Sequence, residues 1–185
     1  MKLKVTETPL KGLVVINIDY FEDERGFFFE PWHRRDFADA GLMVDFVQEG
    51  HSRSGCGVLR GMYYQDMSAL MGKLERCTLG RILDVAVDLR VSSPTFAQWF
   101  GLELSAANKT QLYIPVGFAH GFLTLSESCE VQYKQTGYYT LSSEGTVAWN
   151  DPDVGIEWPI DHPKLSARDQ HGTSLQAYMK QPALE

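Results

Sequence analysis

Apolar and polar residues alternate along most of this chain in short runs broken by turn-forming residues. After Gly12, the run Leu13-Val14-Val15-Ile16 continues to Ile18 as a first strand, and residues 21–26 (FEDERG) read as a turn. Extended structure resumes over residues 27–30 (FFFE). Residues 33–41 (HRRDFADAG) predict a short helix closed by Gly41. Residues 44–48 (VDFVQ) alternate like a strand, and further strands are predicted over 73–79, 82–89, 99–104, 111–114, 118–125 and 130–134. Breaks at Ser92-Ser93-Pro94 and Ala106-Ala107-Asn108 separate them at the regular spacing of an all-β sandwich or barrel. After Tyr139 the pattern becomes irregular, and Ser166–Asp169 forms a short capped helical turn. No repeat, low-complexity run or linker interrupts the chain, so residues 1–185 are expected to form one all-β domain with a few short helices.

Composition narrows the function classes. The 185 residues are enough for a real core. A net charge of −7 argues against nucleic-acid binding, which needs a basic face, although a locally basic pocket for a nucleotide remains compatible with it. The three cysteines, Cys56, Cys77 and Cys129, form no C-x-x-C pair and no disulfide framework, which favours a reducing compartment. The first residues lack a signal-peptide pattern, and no run approaches the roughly 20 apolar residues that span a bilayer. The expectation is a cytoplasmic protein with no membrane or nucleic-acid partner. Aromatic residues make up 12%, more than one barrel face needs, and are expected to line a pocket or an interface between subunits.

Two segments carry the candidate chemistry. Residues 57–65 read GVLRGMYYQ, and residues 115–122 read PVGFAHGF with a P-x-G-x-x-H spacing at Pro115, Gly117 and His120. Together they resemble neighbouring inward-facing strands of a cupin-type β-barrel. A metal-binding cupin would supply two further histidines in the first segment. None is there, and a metal needs about three clustered ligands, so a metal-free pocket is expected. His120 reads either as a satisfied core histidine or as a pocket donor. Lys73 reads as a solvated edge charge or as a grip on an anion. Arg60, inside an apolar run, needs a partner, and a phosphate or carboxylate suits its guanidinium. Asp84 and Asp88 fall on one strand face: one fits a solvated position, the other an orienting partner for Lys73 or a histidine. Tyr133 is a packing residue or, in a pocket, a proton donor. Asp169, three residues after Ser166, is the acidic member of a capping box whatever else it does.

Eight segments, taken in order, resemble the dTDP-4-dehydrorhamnose 3,5-epimerase family: DERGFFFE (23–30), HSRSGCGVLRG (51–61), GKLERC (72–77), DVAVDLRVSSPTF (84–96), residues 104–126, YKQTGYY (133–139), WNDPDVGIEWP (149–159) and LSARD (165–169). The resemblance implies a cupin-type jelly-roll antiparallel barrel that forms a homodimer, uses no cofactor and acts on a dTDP-4-keto-6-deoxyhexose. A histidine–aspartate pair would remove a proton beside the C4 ketone, a lysine would stabilise the enolate, and a tyrosine would return a proton on the opposite face. Carried onto this chain, Lys73 is the enolate stabiliser, Tyr133 the acid and Asp169 the dyad carboxylate. Arg60, His120, Gln48 and Tyr139 contact substrate, and Arg25, Phe28 and Glu30 bind the nucleotide across the dimer.

Three departures bear on this assignment. The family reads R-G-L-H-Y-Q where residues 60–65 here read RGMYYQ, so Tyr63 stands in the place of the catalytic histidine. Gly50 replaces the family's asparagine, and QDMSALMGK replaces a Q-x-P-P stretch. An unperturbed phenol titrates near pH 10, so its phenolate at pH 7 is about 4 kcal/mol uphill. Tyr63 therefore serves as the base only if Lys73 or Arg60 lowers its pKa. Otherwise Tyr133 alone moves protons, and the outcome is a single epimerisation or a shift of the carbonyl, as in a ketoisomerase; a separate reading is a non-catalytic nucleotide-sugar binder that has lost its base. Strict alternation also sets Arg60 and Tyr63 on opposite faces, so both reach one pocket only through a bulge at Gly61.

Overall fold

The alternating runs become antiparallel strands in two facing sheets. The computed structural model describes residues 2–185. One sheet has six strands in the order β1 (Leu3–Glu7), β2 (Val14–Ile18), β10 (Gln111–Ile114), β7 (Lys73–Leu79), β12 (Ser128–Gln135) and β5 (Gln48–Gly55). The other has five: β13 (Glu144–Thr146), β6 (Leu59–Gln65), β11 (Phe118–Thr124), β8 (Arg81–Asp88) and β9 (Trp99–Ser105). A separate hairpin pairs β3 (Phe21–Asp23) with β4 (Gly26–Phe28). The order interleaves strands distant in sequence, as a jelly roll does. Leu112, Cys77, Ile82, Ala86, Phe118, Phe122 and Val131 belong to the core cluster between the sheets. Among the described residues, no helix is long and apolar enough to cross a membrane.

The outer face of the five-stranded sheet is covered too. Val85, Val87, Met62 and Ala119 pack against Leu175, Tyr178 and Leu184 from the C-terminal segment. The helix α2 (Leu175–Lys180) anchors that segment. The Tyr178 hydroxyl donates to the Leu89 carbonyl at 2.9 Å and accepts from the Leu184 amide at 3.1 Å. β11 is consequently buried on both faces and reads as a continuous apolar run around His120.

Several sequence expectations need correction. Residues 44–47 are not a strand: Val44 and Phe46 pack onto the cluster of Ile16, Phe37 and Leu74, and pairing begins only at Gln48. From there β5 runs through QEGHSRSG as an edge strand, in register with β12 from Gln48↔Gln135 to Gly55↔Ser128. Its burial alternates, but the inward positions Gln48, Gly50, Ser52 and Ser54 are polar or small, so no apolar alternation marks the strand. The 21–26 turn is a hairpin with its turn at 24–25, and the following strand stops at Phe28 rather than at residue 30. The early helix α1 (Arg34–Asp39) forms as expected, with Gly41 just beyond it at φ +88°.

Candidate active site

β6 carries the feature that assembles the site. Phe122 of β11 pairs with Arg60 and His120 with Tyr63, so β11 advances two residues while β6 advances three. The extra residue is a bulge over Gly61 and Met62, and it lets Arg60 and Tyr63 reach the same cavity. Gly61 sits at φ +136°, and a Cβ there would meet the backbone of Gly121. Only glycine fits that close approach.

Between the two sheets lies a cavity of about 350 Å³. Of the residues singled out from sequence, Gln48, Arg60, Tyr63, Lys73, His120, Tyr133 and Tyr139 line it. Asp169 stands behind Tyr63 and accepts its phenolic hydrogen at Oδ1. Arg25, Phe28 and Glu30 are not brought to this cavity. Arg25 is exposed and paired with Asp23, Glu30 is exposed, and Phe28 lines a separate concavity with Phe27, Phe29, Arg76 and Lys109.

A charged cluster forms the floor. The His120 Nε2 lies 2.8 Å from Asp84 Oδ1, and its Nδ1 lies 3.4 Å from Lys73 Nζ and 3.5 Å from Glu75 Oε1. An ammonium can only donate, so Nδ1 is the acceptor and Nε2 carries the hydrogen given to Asp84. Burial pulls His120 down to about 4, so the ring is neutral at pH 7. Burial also pushes Asp84 up to about 8 and Glu75 up to about 7, each held back in part by Lys73. Lys73 thus lies in a central strand, beside carboxyls, and not on a solvated edge. Arg60 is exposed on the rim, where Nε donates to Ser54 Oγ at 2.9 Å and one Nη to the Arg53 carbonyl at 3.2 Å. Among the described residues it contacts no carboxylate, which leaves its charge for a ligand.

Neither Asp84 nor Asp88 is solvated; both are 0% exposed. Asp84 orients His120, whereas Asp88 is bound by Arg90, Ser93 and Thr95 away from the cavity. The cation that faces Tyr63 is Arg168, its guanidinium carbon 4.2 Å from the ring centre, and not Lys73 or Arg60. Arg168 is itself tied to Glu144. Burial, followed by the bond to Asp169, raises the Tyr63 pKa despite that guanidinium. Burial and then Glu75 raise Tyr133. Both tyrosines are therefore proton-bearing phenols at neutral pH. Tyr133 lies between Glu75 on β7 and Gly50 on β5, and a Cβ at position 50 would overlap its ring. The phenol rests over Gly50 because no side chain stands there. Among the described residues, no group of three or more His, Cys, Asp and Glu is placed to hold a metal ion.

Residues 7–177 match the profile of the dTDP-4-dehydrorhamnose 3,5-epimerase family. The chain belongs to that family. It is 52% identical to the dTDP-4-dehydrorhamnose 3,5-epimerase of Salmonella typhimurium over 167 residues, 89% of this chain and 91% of the relative. It is 50% identical to the Pseudomonas aeruginosa enzyme of the same name over 175 residues, 94% of this chain and 96% of the relative. Among solved structures it resembles the Legionella pneumophila dTDP-6-deoxy-D-glucose-3,5-epimerase in complex with dTDP-4-keto-L-rhamnose. That likeness has a TM-score of 0.90 at 41% identity, over 94% of this chain and 93% of that one. The jelly roll is accordingly the cupin-type barrel of this epimerase family.

Sequence reading missed Glu75 and Arg168; it offered Asp84 or Asp88 as an orienting partner for Lys73 or a histidine, and Asp84 holds that place beside His120. Glu75 did leave a signal: in KLERC it shares a strand face with Lys73 and Cys77, so a charge was directed inward. Arg168 left none, since its place over Tyr63 comes from the turn that positions Asp169.

Proposed function

We propose that this protein is an epimerase of a nucleotide-linked 4-keto-6-deoxy sugar, acting by proton removal and return beside the C4 ketone. The observation that carries this reading is the convergence of Arg60, Lys73, His120 and two phenols on one cavity of an epimerase-family chain. Arg60, which meets no carboxylate among the described residues, suits a diphosphate at the rim. Lys73 supplies the positive charge for the enolate oxygen, and the neutral His120 fixes Lys73 through Nδ1. Inversion requires a base on one face of the sugar and an acid on the other. Tyr63 on the five-stranded sheet and Tyr133 on the six-stranded sheet flank the cavity from opposite sides, and each holds a proton to give. The reaction balances in protons alone, so the reading calls for no cofactor.

The same reading makes the protein a homodimer. Phe21 and Phe28 on the hairpin are 70% and 63% exposed, with Phe27 beside them, and roughly 25 cal/mol per Å² favours covering such a surface. A partner's hairpin would also bring Arg25, Phe28 and Glu30 to a nucleotide. The three cysteines are free thiols, as suits the cytoplasm.

Incubation with dTDP-4-keto-6-deoxyglucose tests the reading. Proton NMR of the sugar ring is expected to show inverted configuration at C3, at C5 or at both, with the carbonyl still at C4. A moved carbonyl would make the protein a ketoisomerase, and nucleotide binding without any change in the sugar would make it a binder.

A further inference from the structure

We propose that Glu75 is the catalytic base of this enzyme and that Tyr63 is the acid facing it, so that protons leave and enter by opposite sheets. This rests on the epimerase reading above. Glu75 is 1% exposed, yet it lines the cavity. Its Oε1 lies 3.5 Å from His120 Nδ1, and its Oε2 has no hydrogen-bond partner among the described residues. A buried carboxylate oxygen without a partner is costly. Beside a cavity, the partner that remedies it is the molecule that fills the cavity.

The surroundings of Glu75 suit a base. On its own strand Lys73 is the cation whose charge acts on it, and the titratable groups facing it from other strands are Asp84 on β8, His120 on β11 and Tyr133 on β12. The neighbour across β10 is the apolar Leu112. Burial raises Glu75 to about 7, with His120 and Lys73 opposing and Asp84 adding to the rise. A base is most effective when its pKa lies near the working pH, because it is then both unprotonated and strong. Tyr63 meets the opposite requirement. Its hydroxyl donates to Asp169, whose second oxygen accepts from Ser166 Oγ at 2.7 Å, and the phenol keeps its proton. Glu75 lies in the six-stranded sheet and Tyr63 in the five-stranded sheet, which gives the two faces that an inversion needs.

The step balances without an oxidant or reductant. The Glu75 carboxylate takes the proton from the carbon beside the ketone. The C–H electron pair becomes the C=C bond of an enolate, whose oxygen lies against the Lys73 ammonium. Tyr63 then gives its proton to the same carbon from the other face, and the C4 ketone re-forms. Glu75 returns its proton to water, and the Tyr63 phenolate takes one back.

The test is solvent exchange in D₂O with dTDP-4-keto-6-deoxyglucose, measured for wild type, Glu75→Gln and Tyr63→Phe. Glu75→Gln is expected to slow deuterium entry beside the ketone by about 10²–10⁴-fold, with dTDP affinity kept within about threefold. Tyr63→Phe is expected to keep exchange within about tenfold of wild type while inversion slows by about 10²-fold or more. The wild-type exchange rate gives a check that needs no variant. It is expected to rise with pH and reach half its plateau near pH 7, whereas a Tyr63 base would drive it upward past pH 9. The proposal is overturned if Glu75→Gln exchanges within about threefold of wild type, if Tyr63→Phe loses exchange as fully as Glu75→Gln does, or if the rate still climbs past pH 9. A wild type without any exchange would overturn the epimerase reading itself, a separate result.

Discussion

Replacing Lys73 with methionine is expected to lower turnover by about 10²–10³-fold, the usual cost of losing a preorganised partner for a developing oxyanion. Methionine nearly preserves the volume and apolar stem, so the loss is electrostatic. Nucleotide binding, which falls to Arg60 at the rim, is expected to change little. A second effect distinguishes this variant from simple damage. Lys73 holds down the pKa of Glu75, so the midpoint of the residual pH–rate curve is expected to move above the wild-type value near 7. Steady-state kinetics across pH 5–10 checks both. Turnover within a few fold of wild type would remove Lys73 from the chemistry.

The largest expected loss of stability lies outside the cavity. Asp88 is 0% exposed and holds the end of β8 to the loop that follows. Its Oδ1 accepts from Arg90 Nε at 2.8 Å, and its Oδ2 from Arg90 Nη2 at 2.7 Å, Ser93 Oγ at 2.6 Å and Thr95 Oγ1 at 2.7 Å. Asp88→Ala strands these donors and is expected to cost about 3–5 kcal/mol. For a chain of this size that lowers Tm by roughly 6–20 °C. The pH dependence has a definite sign. Burial alone would raise the Asp88 pKa, but the bonds from Arg90, Ser93 and Thr95 outweigh it and hold the value below that of a free carboxyl. Its contribution is therefore complete above about pH 4, where the unfolded group is ionised, and is lost as pH falls through the lower folded value. Thermal melts of wild type and Asp88→Ala between pH 2 and pH 7 are expected to converge at the acid end. An equal gap at every pH would contradict the assignment.

The sequence pattern was most legible where a strand buries one face against the other sheet. β7 and β10 begin and end where predicted, because Cys77, Leu112 and Ile114 point into the core between the sheets, while Leu74 packs on the other face of β7 against Ile16 and Phe37. Pattern reading failed where no such demand operates. The polar edge strand β5 is held by backbone pairing to β12. The helix α2 is only six residues long and forms because Leu175 and Tyr178 cover the outside of the five-stranded sheet. In the site, the conflict between Arg60 and Tyr63 could be read from alternation alone, and it located the bulge at Gly61. Of the partners of Tyr63, the family resemblance supplied Asp169, while Arg168, which arrives from a distant turn, left no signal. Glu75 was in plain view as an inward charge beside Lys73, but its weight depends on the burial that raises its pKa and on the unpaired oxygen, and both are tertiary facts.

The central claim is that this cavity moves protons at the carbons next to a sugar ketone. Its most direct test is deuterium wash-in by the wild-type protein on dTDP-4-keto-6-deoxyglucose in D₂O, followed by NMR and mass from the first minutes. Deuterium is expected at C3, at C5 or at both, in step with or ahead of inversion, and not at C1 or C2. Inverted product carrying no deuterium, or bound nucleotide sugar with no deuterium after hours, would contradict the account.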